Sequence, residues 1–102
     1  DILDFLKTYD LTFSAGIQFR VTHILERINL DVELRDKARK LFRKQNTNQD
    51  IVEKLISELI GMGFAEVINE QDGTYKVTAA FRYAEEMVNL ITIYNEDETS
   101  GL

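Results

Sequence analysis

Six cations crowd into ten residues of this chain: Arg35, Lys37, Arg39, Lys40, Arg43 and Lys44 stand against the single acid Asp36, so segment 35–44 carries +5 while the remainder carries −11. Guanidinium and ammonium groups at that density are the chemistry of phosphate binding, because each neutralised phosphate releases a condensed counterion. The same run equally describes a solvated helix face set against an acidic remainder, and the residues alone leave both readings open. Just beyond, Asn48 and Gln49 each offer the paired donor and acceptor that match an adenine edge. They are also residue types that bond locally at helix starts.

No other constellation points to chemistry. The chain has no cysteine and one histidine, His23, which excludes disulfides, thiolate metal sites and a conventional catalytic triad. His23 lies beside an apolar stripe, where a packed or half-exposed ring is the ordinary outcome, and no role is assigned to it. Glu85, Glu86 and the cluster Glu96, Asp97, Glu98 are runs of the kind that stay solvated at helix ends, without the pocket that a catalytic carboxylate needs. Asn69 to Gly73 lacks the alternating pattern of an EF-hand loop, and Gly61 with Gly63 lacks the rest of a phosphate-binding loop. No catalytic residue, metal or cofactor is expected, and the protein is read as non-enzymatic.

The elements that position these residues follow from periodicity. With 102 residues and 44% hydrophobic content, one domain over 1–94 suffices to bury a single core. Ile2, Leu3, Phe5, Leu6 and Tyr9 recur at helical spacing in a first helix over 1–10. Ser14 is expected to cap a second helix whose stripe is Ile17, Val21, Ile24, Leu25 and Ile28, with Asn29 as its left-handed stop. Asp31 caps a third, over 32–45, that buries Leu34, Ala38, Leu41 and Phe42 and turns its cations outward. Thr47 and Asp50 open a fourth over 48–60, with Ile51, Val52, Leu55, Ile56, Leu59 and Ile60 as a wide apolar face ending at Gly61 and Gly63. The period then changes: residues 64–68 and 75–77 read as two strands around Asp72-Gly73, a dipeptide suited to primed hairpin turns. Thr78 is expected to cap a final helix over 79–94, with Phe81, Ala84, Val88 and Ile91 on one face and Tyr83, Met87, Leu90 and Tyr94 on another. Residues 95–102, NEDETSGL, form an acidic tail. No apolar run reaches the roughly 18 residues of a membrane span, and the opening DILDFLKTYD has no signal-peptide pattern, so a cytoplasmic protein is expected.

That order resembles a winged helix-turn-helix over residues 15–78, mainly α with a small two-stranded β-hairpin and additional N- and C-terminal helices. Leu59-Ile60-Gly61-Met62-Gly63-Phe64-Ala65-Glu66-Val67 resembles the junction of third helix and wing in MarR-like regulators, and Tyr75-Lys76-Val77-Thr78 resembles their exit from the wing. The T-x-x-F-R-Y phrase from Thr78 to Tyr83 resembles the winged-helix subunits of condensin-type complexes, of which MukE-like proteins are an example. Both resemblances imply a setting on or near DNA.

Charge along these elements argues against the usual duplex pose. The polar positions of helix 48–60 sum to −2, and Glu66, Glu70 and Asp72 outweigh Lys76 in the hairpin, so both elements repel phosphates. The expected function is a protein-interaction or dimerisation module of DNA-associated machinery, of the chromosome-maintenance or transcription type. Arg35, Lys37, Arg39, Lys40, Arg43, Lys44, Asn48 and Gln49 are the candidate nucleic-acid residues. Leu3, Leu6, Tyr83, Met87, Leu90 and Tyr94 are the candidate partner surface, for a homodimer or a larger assembly. The alternative is a dimeric DNA-binding transcriptional regulator that uses Arg39, Lys40, Arg43 and Lys44 with helix 48–60 reading bases.

Overall fold

The computed structural model describes residues 1–88, and positions 89–102, with Leu90, Ile91, Tyr94 and the acidic tail, lie outside the described residues. In chain order the elements are α1 (Ile2–Tyr9), β1 (Gln18–Arg20), α2 (Val21–Leu30), α3 (Val32–Leu41), α4 (Asn48–Gly61), β2 (Ala65–Asn69) and β3 (Thr74–Val77). A fifth helix, α5, covers 80–88 of the described part. The architecture is mainly helical with one antiparallel three-stranded sheet, ordered β1-β3-β2.

The third strand corrects the two-stranded expectation. Residues 18–20 had been assigned to the second helix because Ile17, Val21 and Ile24 fit its stripe, but Ile17-Gln18-Phe19-Arg20 also alternates apolar and polar. Pairing with β3 decides between the two periods: Gln18, Phe19 and Arg20 oppose Lys76, Tyr75 and Thr74. Gly16 N–H donates to Val77 O at 2.8 Å and Val77 N–H to Ile17 O at 2.9 Å, extending the ladder. Helix α2 therefore starts at Val21, whose N–H donates to Gly73 O at 3.0 Å. Ser14 caps nothing, since its hydroxyl donates to Thr12 O at 3.0 Å.

Other boundaries shift for similar reasons. Asn29 is not left-handed. Asp31 ends α2 and begins α3 by itself: its N–H donates to Arg27 O at 2.8 Å, and its carboxylate accepts Leu34 N–H at 3.2 Å. That second bond, with Arg27 nearby, holds its carboxyl below the usual range. Helix α3 stops at Leu41 rather than Gln45, because Phe42 leaves helical geometry (φ −124°, ψ 60°) and Gln45 N–H closes a turn on Phe42 O at 3.1 Å. A helix through Gln45 would leave one residue in which to reverse into the cap of α4.

That cap is Thr47, whose Oγ1 accepts Asp50 N–H at 3.0 Å. At the other end of α4, Gly63 (φ 79°) supplies the left-handed residue, with Gly63 N–H on Ile60 O at 3.0 Å and Phe64 N–H on Leu59 O at 2.9 Å. These are the two bonds of a Schellman stop. The hairpin tip is the four residues 70–73 between paired Asn69 and Thr74, with Gly73 (φ 68°) its only left-handed residue, so it is not a two-residue primed turn. Thr78 does not cap α5, and its hydroxyl donates to Gly63 O at 2.6 Å.

One apolar cluster unites these elements, from Phe5, Leu6 and Tyr9 of α1 through Ile24, Ile28, Leu34 and Ala38 to Ile51, Val52, Leu55, Ile56, Leu59, Val77 and Phe81. Its aromatic part centres on Phe13, a residue in the link after α1 with no periodic signature. Phe13 is 1% exposed, with the rings of Phe81, Phe19 and Tyr9 at 5.4, 5.5 and 6.4 Å. Phe13→Ala should cost about 3–5 kcal/mol in urea unfolding, by lost burial plus the cavity left behind. Thr47→Ala should cost about 1 kcal/mol through the lost cap, while Ser14→Ala should stay within about 0.5 kcal/mol. Equal losses at Thr47 and Ser14 would contradict the helix starts described above.

Candidate functional site

The six cations of segment 35–44 do not form one surface. Arg35, Lys37, Arg39 and Lys40 lie on α3, whereas Arg43 and Lys44 occupy the turn after it. Lys37, partly exposed, leans on α1: Nζ sits 3.1 Å from the Asp4 carboxylate, 3.7 Å from Glu33, and donates to Thr8 Oγ1 at 2.8 Å. It bridges α3 and α1. Arg35 donates to Asn29 O at 3.2 Å, which fixes it over the α2–α3 junction. Arg39, Lys40, Arg43 and Lys44 are exposed, and no ion pair neutralises them among the described residues. The end of α3 and the following turn thus present four exposed cations, of which Lys40 shares a depression with Asp1 and Asp4.

The two amides are engaged locally. Asn48 Nδ2 donates to Asn29 Oδ1 at 2.8 Å, joining the start of α4 to the end of α2, while its own Oδ1 is buried without a partner. Gln49 Nε2 donates to Glu53 Oε1 at 3.1 Å. The outward face of α4 is otherwise acidic, and its one cation, Lys54, is paired with Glu58 at 3.2 Å.

The expected partner surface is divided. Leu6 is completely buried in the chain's own core, so it is not available to a partner, and Leu3 is half-buried. The reason is that α1 is only two turns long and packs beneath α3, leaving the Leu6 stripe no outward path. Tyr83 and Met87 on α5 are 70% and 57% exposed; Leu90 and Tyr94 lie outside the described residues. Leu11, Leu30 and Val32 are also strongly exposed and had not been singled out. Their signal was available, since Leu30 and Val32 fall out of phase with the stripes of the helices they belong to.

A depression of about 650 Å³ opens between the end of α1, β1, the first turn of α2 and the hairpin, lined among others by Tyr9, Asp10, Arg20, His23 and Asp72. His23, though exposed, has Nδ1 2.6 Å from the Tyr9 hydroxyl. Burial raises the Tyr9 pKa, so the phenol keeps its proton. The contact of the Tyr9 hydroxyl with His23 Nδ1 ties α1 to α2, as does Arg27 Nη1, which donates to Tyr9 O at 2.9 Å. Asp10 is committed to Thr12, whose hydroxyl and N–H hold its carboxyl below the ordinary range. Every polar group here that has a partner serves to hold the fold. Glu85 is likewise structural, pairing with Lys7 of α1 at 3.0 Å. Among the described residues, no cluster of three or more His, Asp or Glu is placed to hold a metal ion, and no helix is long and apolar enough to cross a membrane.

Comparison with known proteins agrees with the resemblance drawn from Thr78 to Tyr83. Residues 1–88 match the family described as Condensin complex protein MksE. No curated protein and no solved structure matches the chain. Because the family match spans 88 of 102 residues, the chain belongs to the MksE family of condensin complex proteins.

Proposed function

We propose that this chain is a non-catalytic interaction subunit of a condensin-type chromosome-maintenance assembly, built as one winged-helix domain with α1 and α5 as flanking helices. The family match over residues 1–88 carries the reading. Three features support it. Helices α2, α3 and α4 precede a hairpin, as in a winged helix. The exposed apolar side chains Tyr83 and Met87 on α5 suit a protein partner or a second copy. The exposed cations Arg39, Lys40, Arg43 and Lys44 suit the backbone of DNA held within the assembly. A base-reading regulator is less well supported, since Asn48 and Gln49 are bonded within the chain and α4 presents carboxylates.

Anisotropy titration against random-sequence duplex should show weak binding that falls steeply with salt. Four phosphate contacts predict a slope of log K on log salt of about −3 to −4. The triple variant R39E/K40E/R43E should abolish it with stability changed by less than about 0.5 kcal/mol, because these side chains are exposed. Absence of binding at low salt would remove DNA contact from the proposal. For the apolar surface, sedimentation at micromolar concentration should find self-association that Y83D/M87D disperses. A wild-type monomer would leave only a different protein as the occupant of α5.

A further inference from the structure

A groove of about 390 Å³ runs between the outward face of α4, the start of α2 and the hairpin tip. Val21, Ile56 and Tyr75 give it an apolar side, and Glu53, Glu70 and Asp72 line its rim. No Lys, Arg or His lines it, although the chain as a whole carries twelve Lys and Arg residues. The carboxylates are not neutralised from within: Glu53 accepts only the Gln49 amide, Asp72 accepts the N–H and hydroxyl of Thr74, and none of the ion pairs among the described residues includes Glu53, Glu70 or Asp72.

Resting on the reading of the chain as an interaction subunit, we propose that this groove docks a short basic segment of a partner protein, in which Lys or Arg alternates with apolar residues. Charge complementarity selects that occupant. A cationic side chain lays its aliphatic stem along Ile56, Val21 and Tyr75 and leaves its charged head among the rim carboxylates, so both halves of the side chain are satisfied. A nucleic-acid strand would bring phosphates to within a few ångströms of three carboxylates with no cation between them, which opposes binding. In a winged helix this is the space between third helix and wing, so the proposal gives that space to a protein rather than to a duplex.

The test uses a short fluorescein-labelled peptide alternating Arg and Val, titrated into the chain at moderate salt. The wild type should bind it, and E53K/E70K should weaken binding by about tenfold or more. The control E26K/D36K makes the same change of net charge at exposed sites outside the groove and should weaken it less than about twofold. The milder E53Q/E70Q should give an intermediate loss, which keeps the result readable if E53K/E70K is poorly folded. Failure of the wild type to bind, or equal losses in E53K/E70K and E26K/D36K, would overturn the groove as a specific site. Binding of labelled random duplex to R39E/K40E/R43E with no peptide present, lost when Q49E/Q71E is added in the groove, would assign the groove to nucleic acid and also overturn it. Loss of self-association in E53K/E70K without peptide binding would make a second copy the occupant, with the same consequence. Self-association that Y83D/M87D disperses, persisting when the peptide fails, would leave the interaction-subunit reading standing and only the groove wrong.

Discussion

The aromatic cluster around Phe13 is the contact on which the rest of the arrangement depends. Phe13 itself belongs to no helix or strand, yet its ring meets Tyr9 from α1, Phe19 from β1 and Phe81 from α5, and Phe81 in turn meets Phe64 at the entrance to β2 at 5.8 Å. Edge-on and tilted ring pairs of this kind add to the burial of large apolar surfaces. Through them, segments distant in sequence converge on one point: the chain termini of the described part, the added strand and the hairpin. The Lys7 ammonium binds both Phe13 O and the Glu85 carboxylate, so the polar contacts above the cluster join the same α1 and α5.

Charge is sorted by what it touches. Lys7, Arg27 and Lys37 are spent inside the molecule, each holding α1 against another element. Of the cations without an ion pair among the described residues, Arg39, Lys40, Arg43 and Lys44 stand at the end of α3 and the turn beyond it and Arg20, Arg35, Lys76 and Arg82 stand elsewhere, while the α4 face and hairpin tip present carboxylates. This small component thus carries exposed cations, exposed carboxylates, and an exposed aromatic and methionine on α5. Membership of the MksE family places that component in condensin complexes.

Much of this was legible along the chain. Asp31 and Thr47 were identifiable as caps because a short oxygen-bearing side chain before an apolar stripe has one efficient use, and both accept the expected N–H. The fully buried residues of α2, α3 and α4, such as Ile24, Ile28, Leu34, Ala38 and Leu55, were among those that spacing picked out, although Ile60 is 46% exposed, Phe42 falls outside α3 and Ile17 outside α2. Strand β1 was hidden because three residues hold barely more than one alternation, and Ile17 and Val21 satisfy helix and strand patterns alike. Lys37 was indistinguishable from its neighbours in a run of cations; only the approach of α1, with Asp4 and Thr8, gives it partners. Leu6 was misplaced for the same reason, as a two-turn helix reads equally well as a docking surface or as core until its neighbour is known.

Local periodicity, capping chemistry and the tally of charges by themselves determined that this chain forms successive amphipathic helices and a hairpin, and that its cations concentrate in 35–44. Which cations face outward, which apolar side chains stay exposed, and whether residues 18–20 extend a helix or join a sheet were decided only by tertiary structure. These outcomes depend on contacts between residues far apart in the chain, Lys37 with Asp4, Phe19 with Phe13 and Gln18 with Lys76. Such contacts leave no periodic trace in the sequence on either side of them.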